Sequence, residues 1–132
     1  MNALRIHENG GPDVLKWESI PDPTSNSNDV LVEIKSTAMN HLDIWVRSGM
    51  PNCPLPMILG SDGAGIVSDI GDSVSQFSIG DAVIIQPLVW CGECRFCKTG
   101  RQNYCTSMGI FGETQNGTMS EYISVPEKNV RR

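Results

Sequence analysis

Between Val30 and Lys35 apolar and polar side chains alternate at period two, with Leu31 an exception on the polar face. That spacing predicts a half-buried strand. Upstream, Leu4 to Trp17 reads as two short strands joined by a turn at Asn9-Gly10-Gly11-Pro12, because Asn and Gly tolerate positive φ and Pro fixes the exit. The stretch from Pro21 to Asp29, rich in Pro, Ser, Asn and Asp, is a predicted loop. The period then changes. Leu42, Trp45 and Val46 share one face at helical spacing, Asn40 is placed to cap the helix, Asp43 sits at its third position, and Gly49 stops it. Pro51, Pro54 and Pro56 forbid a continuation and predict an extended surface loop.

The cluster Gly60-Ser61-Asp62-Gly63-Ala64-Gly65 reads as a loop feeding a strand over Ile66 to Ile70, with turns at Gly71-Asp72 and Gly80-Asp81. Further strands are predicted over Ala82 to Ile85 and Met119 to Val125, the latter closed by Pro126. Many short strands, frequent turn signals and one short helix predict a mainly β, barrel-like domain. The glycines lack G-x-G-x-x-G spacing and open no helix, so they are not a phosphate loop.

A length of 132 residues fits one domain over residues 1–132. Its net charge of -5 argues against nucleic acid or an anionic membrane as partner. No apolar run approaches the roughly 20 residues that span a bilayer, and Met1 to Glu8 lacks a secretory pattern. A reducing, cytoplasmic setting is expected. There, clustered cysteines are metal ligands or redox groups before they are disulfides.

Four of the five cysteines, Cys91, Cys94, Cys97 and Cys105, follow C-x2-C-x2-C-x7-C. Thiolates two residues apart in a tight turn converge on one ion, and zinc favours four such ligands in a tetrahedron. The reading is one structural zinc per chain, held in a lobe at about residues 88–110. An iron–sulfur cluster is the alternative for the same thiolates, and a redox pair would leave two cysteines unexplained. Arg95, Lys98 and Arg101 offset charge nearby. Four protein ligands close the site, so the metal holds the lobe and does not catalyse.

With that lobe, the opening strands, Val30 to Gly49, Ile58 to Gly65, Gly80-Asp81-Ala82-Val83 and Glu121-Tyr122, the chain resembles medium-chain zinc-type alcohol dehydrogenases and their relatives, along nearly its whole length. The resemblance implies the N-terminal GroES-like domain, a partly open β-barrel on the substrate side of an NAD(P)(H)-dependent oxidoreductase. It further implies a Rossmann cofactor domain outside these residues, a homo-oligomeric full-length protein, and a small-molecule carbonyl, quinone or alcohol as substrate. Members with a catalytic zinc carry Cys where this chain has Asn40 and His where it has Ser61. Neither replacement is a usual zinc ligand. The segment Asn40-His41-Leu42-Asp43-Ile44-Trp45 instead resembles the metal-free quinone oxidoreductases of the superfamily, which have Asn, Asp and an aromatic residue at the positions of Asn40, Asp43 and Trp45 and usually lack the cysteine lobe.

The candidate catalytic residues are therefore Asn40, His41 and Asp62, with Trp45 as candidate substrate contact. Asn40 either polarises a substrate carbonyl through its amide or simply caps the helix. His41 is a proton-transfer candidate or a solvent-facing residue. Asp62 orients a partner or forms a turn. Trp45 lines a pocket or fills the core. Cys53 is a lone thiol or a substitute ligand, and His7 has no motif around it. Without a dinucleotide fold the 132 residues alone are expected to be inactive. A non-enzymatic reading, a zinc-stabilised β-domain serving as an interaction module, rests on that same lack.

Overall fold

A computed structural model describes residues 1–132. Strand β1 (Asn2–Ile6) pairs antiparallel with β2 (Lys16–Ser19) and with the two-residue β4 (Met57–Ile58). The predicted turn between β1 and β2 contains a 3-10 turn over Pro12–Val14, where the fixed φ of Pro12 suits the first helical position. The larger sheet has five antiparallel strands in the order β10 (Val130–Arg131), β6 (Ala82–Ile85), β5 (Asp62–Ile70), β3 (Asp29–Ala38) and β9 (Tyr122–Pro126).

Residues 118–121 stitch the two sheets together. Met119 accepts from the Leu4 N–H at 2.8 Å, the Glu121 N–H reaches the Asn2 carbonyl at 3.0 Å, and Ala3 bridges Ser120. The register of β3 against β5 slips between Leu31 and Val32 and again between Ile34 and Ser36. Such bulges bend and twist a strand, and the sheet curls into the expected partly open, mainly β barrel.

Alternation along the strands delivers the core. Val30 and Val32 of β3, Val67 of β5, Val83 and Ile85 of β6, and Ile123 and Val125 of β9 meet in one buried cluster. Burying side chains of this size stabilises by about 1.5–3 kcal/mol each. A second cluster, with Ile6, Met57, Leu59 and Val46, lies beneath the helix.

Three sequence expectations shift. The glycine cluster is less a loop than the start of β5: Gly63, Ala64 and Gly65 already pair with Thr37, Ser36 and Ile34. Regular pairing in the last long strand begins at Tyr122 rather than Met119, because the preceding residues bond to the smaller sheet. Helix α1 (His41–Ser48) buries Asp43 and Val46 and leaves Trp45 55% exposed. Trp45 is not a core residue.

Candidate functional site

The cysteine lobe is a long hairpin loop. Its stem is the antiparallel pair of β7 (Leu88–Val89) and β8 (Gly109–Ile110), and between them lie helix α2 (Arg95–Lys98) and a 3-10 turn over Gln102–Tyr104. Cys94 precedes α2, Cys97 lies within it, and Gly92 takes φ +85°, a conformation that favours glycine, as the chain turns between the first two cysteines. All four Sγ atoms fall within 4.8 Å of one another. Cys94–Cys97 and Cys91–Cys105 stand 3.5 Å apart and Cys91–Cys97 3.9 Å. Thiolates at about 2.3 Å from a central zinc would stand about 3.8 Å apart, so the donor set fits that ion.

Backbone amides prepare the sulfurs for charge. Cys91 Sγ accepts from the Glu93 and Cys94 N–H groups, and Cys105 Sγ accepts from those of Cys91 and Ser107, all at 3.4 Å. The backbone N–H of Cys97, with those of Thr106 and Phe96, lowers the Cys94 thiol to about 6. Hydrogen bonds from the Cys94 and Glu93 amides lower Cys91 as well. Burial, reinforced by the neighbouring sulfurs, pushes Cys97 up to about 12. Burial of Cys97 among the other sulfurs opposes its ionisation, and a divalent cation held by the cluster would offset that penalty. The lobe has little else to hold it, since Cys97 and Cys105 are its buried side chains between residues 90 and 108. Arg95 and Arg101 lie over the Phe96 ring at 4.6 and 5.8 Å. Beneath, Asn129 donates to the carbonyls of Gln86 and Leu88 at 2.8 and 2.7 Å, anchoring the stem, a role no sequence signal marked.

The second constellation lies where α1 meets the start of β5. Asn40 Nδ2 donates to Asp62 Oδ2 at 2.8 Å and to Ser61 Oγ at 3.2 Å. The positions at which the resemblance replaces two zinc ligands are thus in direct contact. Asp43 locks this junction from below: Oδ2 accepts the Asn40 N–H at 2.7 Å and Oδ1 the buried Gly60 N–H at 2.8 Å. Gly60 has φ +94°, and a Cβ there would press on Thr118 and Met119. Thr37 and Thr118 donate to the Asp62 carbonyl at 2.8 and 2.7 Å. Hydropathy reading passed over both threonines, since a lone hydroxyl in a strand has no pattern.

His41 and Trp45 stand on the exposed side of α1, ring centroids 4.9 Å apart and edge-on. A cleft of about 280 Å³ opens beside Asp62, between Thr37 and Ile84. An apolar cleft of about 300 Å³, lined by Met39, Ile44, Leu15 and Leu59, lies on the other side. Cys53 packs half-buried against the second core cluster, and burial, then the charge of Glu113, pushes its thiol up. It joins no group of converging ligands.

Known proteins match along the chain. L-threonine 3-dehydrogenase of Saccharopolyspora erythraea is 34% identical over 88% of this chain and 35% of its own length. The enzyme of that name from Rhizobium johnstonii is 30% identical over 98% of this chain and 39% of its own. Among solved structures, an NAD-dependent alcohol dehydrogenase superposes with TM-score 0.96 at 42% identity, covering 99% of this chain and 39% of that one. The cobalt- and zinc-bound thermostable alcohol dehydrogenase of Pyrobaculum aerophilum gives 0.92 at 34%, over 98% and 40%. The chain thus spans well under half the length of these relatives. Residues 26–132, from before β3 through the cysteine lobe to β10, match the alcohol dehydrogenase GroES-like domain, and to that family the chain belongs.

Proposed function

We propose that this chain is the substrate-side domain of a nicotinamide-dependent oxidoreductase that reduces a carbonyl, enone or quinone, with one structural zinc and no catalytic zinc. The contact between Asn40 and Ser61 carries the reading. An amide and a hydroxyl stand together where the family's zinc enzymes place a thiolate and an imidazole, and neither is a usual zinc ligand. What they supply is a neutral hydrogen-bonding site. A bound nicotinamide, in a Rossmann domain outside these residues, supplies the hydride. The residues here orient the acceptor: Asn40 and Ser61 face its oxygen, Asp62 holds the Asn40 amide from behind, and Trp45 and His41 offer an exposed aromatic wall. The coverage of 35–39% of related dehydrogenases supports a further domain in the full-length protein.

The test is NADH and NADPH oxidation by the full-length protein against quinones, enones, aldehydes and ketones, with zinc counted in parallel. Turnover at one zinc per chain is the expected result. Activity that requires a second zinc, lost on mild chelation while the lobe keeps its metal, would refute the metal-free site.

A further inference from the structure

We propose that the cysteine lobe is also a redox switch: a hydroperoxide, hydrogen peroxide being the simplest, joins Cys91 to Cys105 and Cys94 to Cys97, and the zinc is released. The switch depends on the structural zinc and on none of the hydride chemistry. Four cysteines can pair in three ways, and one of these uses both of the 3.5 Å contacts, Cys91–Cys105 and Cys94–Cys97. Each of these pairs also sets a reachable sulfur beside a sheltered one. Cys91 is exposed and Cys94 half-buried, whereas Cys97 and Cys105 are 9% and 7% exposed. An accessible cysteine next to a resolving partner is the arrangement that turns a sulfenic acid into a disulfide before it oxidises further.

Cysteines that hold a metal do so as thiolates. The Cys91 thiolate attacks one peroxide oxygen, the O–O bond breaks, hydroxide leaves, and Cys91 becomes a sulfenic acid. The Cys105 thiolate then attacks that sulfur, the S–S bond forms, and a second hydroxide leaves. Cys94 and Cys97 react in the same way with a second peroxide. Four thiolates and two peroxides give two disulfides and four hydroxides, each sulfur losing one electron and each peroxide oxygen gaining one. With no thiolate left, the lobe has lost its metal ligands.

The two disulfides constrain different things. Cys91–Cys105 ties the throat of the lobe beside the β7–β8 stem. Cys94–Cys97 joins the cap of α2 to a residue within that same short helix, so it ties α2 to nothing else. A shared zinc links the two pairs, and no other side chain between residues 90 and 108 is buried to replace that link. Oxidation therefore frees the segment from Gly92 to Tyr104, which carries Arg95, Phe96, Lys98 and Arg101, while the stem stays closed and the barrel is untouched.

The experiment treats the full-length protein, reduced and zinc-loaded, with hydrogen peroxide and reads released zinc with a chromogenic chelator. The lobe's zinc equivalent should be lost, dithiothreitol with added zinc should restore it, and Cys53→Ser should lose it equally. Trypsin together with a glutamate-specific protease cuts after Glu93, Arg95 and Lys98 and so separates the four cysteines. Mass spectrometry should then find the Cys91 peptide joined to that of Cys105, and the Cys94 peptide to that of Cys97. Amide hydrogen exchange should rise over residues 92–104 and stay low in the paired stem, Leu88–Val89 with Gly109–Ile110. Zinc that stays bound in excess peroxide, cysteines driven to sulfonic acid without a disulfide, or a Cys91–Cys94 bond would each overturn the switch and leave the structural zinc standing. Untreated protein that carries no zinc would bring down the switch and the zinc together.

Discussion

Replacing Asp43 by Asn isolates the contribution of one buried carboxylate. The side chain is 3% exposed, and both its oxygens accept backbone N–H groups, one from Asn40 at the head of α1 and one from Gly60 ahead of β5. An amide of the same shape has a single acceptor, so one of those N–H groups must face an NH2. A hydrogen bond to a charged group contributes about 1.5–3 kcal/mol, and a buried donor left unpaired costs about 1–3 kcal/mol. These overlap rather than add, and a loss of about 3 kcal/mol follows. At about 2.1 cal/mol/K per residue, that corresponds to a fall in Tm of roughly 10 °C for a chain of 132 residues. Thermal melts by circular dichroism, with zinc content measured alongside, give the answer. Zinc should stay bound, because the lobe is built from other residues. A Tm within about 2 °C of wild type would refute the argument, since it would mean the two N–H groups find other partners.

Other perturbations address the remaining structure. The chain should carry one zinc equivalent by metal analysis; Cys97→Ser should abolish it and Cys53→Ser should not, and chelation should raise amide hydrogen exchange across residues 90–108 while β3 and β5 stay protected. Gly60→Ala should destabilise the domain by about 2 kcal/mol or more in urea titration, as a Cβ at φ +94° also meets Thr118 and Met119. Hydrogen bonds from the Asn2 backbone and side chain hold Glu121 below its ordinary value of 4.5. Because the folded-state value is depressed, its stabilisation is present above that value and is lost as pH falls through the folded one; Glu121→Gln should therefore flatten the acid limb of a stability–pH curve.

The features most legible in the sequence were those written locally. Four cysteines at fixed spacing need no distant partner to declare a metal, and Val30 and Val32 declare their strand by alternation. Less legible were features created by partners far along the chain. The stretch Gly63 to Gly65 reads as a loop until Ile34 to Thr37 pairs with it. Asp43 looks like a helix-start acid on an exposed turn; only the distant Gly60 N–H makes it a buried one, and in taking the inner face it turns Trp45 outward. Strands of two residues, such as β4, β7 and β8, are too short to carry any period.

The narrow stem of the cysteine lobe bears on how such domains diversify. Two residues pairing with two, Leu88 with Ile110 and Val89 with Gly109, close a detour that leaves the barrel and returns to nearly the same place. No strand of the five-stranded sheet threads through it. Topologically it is an insertion at a hairpin tip, and because loop-closure entropy grows only as the logarithm of length, a long tip costs little more than a short one. The lobe can therefore be gained, lost or exchanged without rewiring the sheet. The metal site and the Asn40–Ser61–Asp62 cluster therefore rest on separate parts of the fold, and a change in one leaves the framework of the other in place.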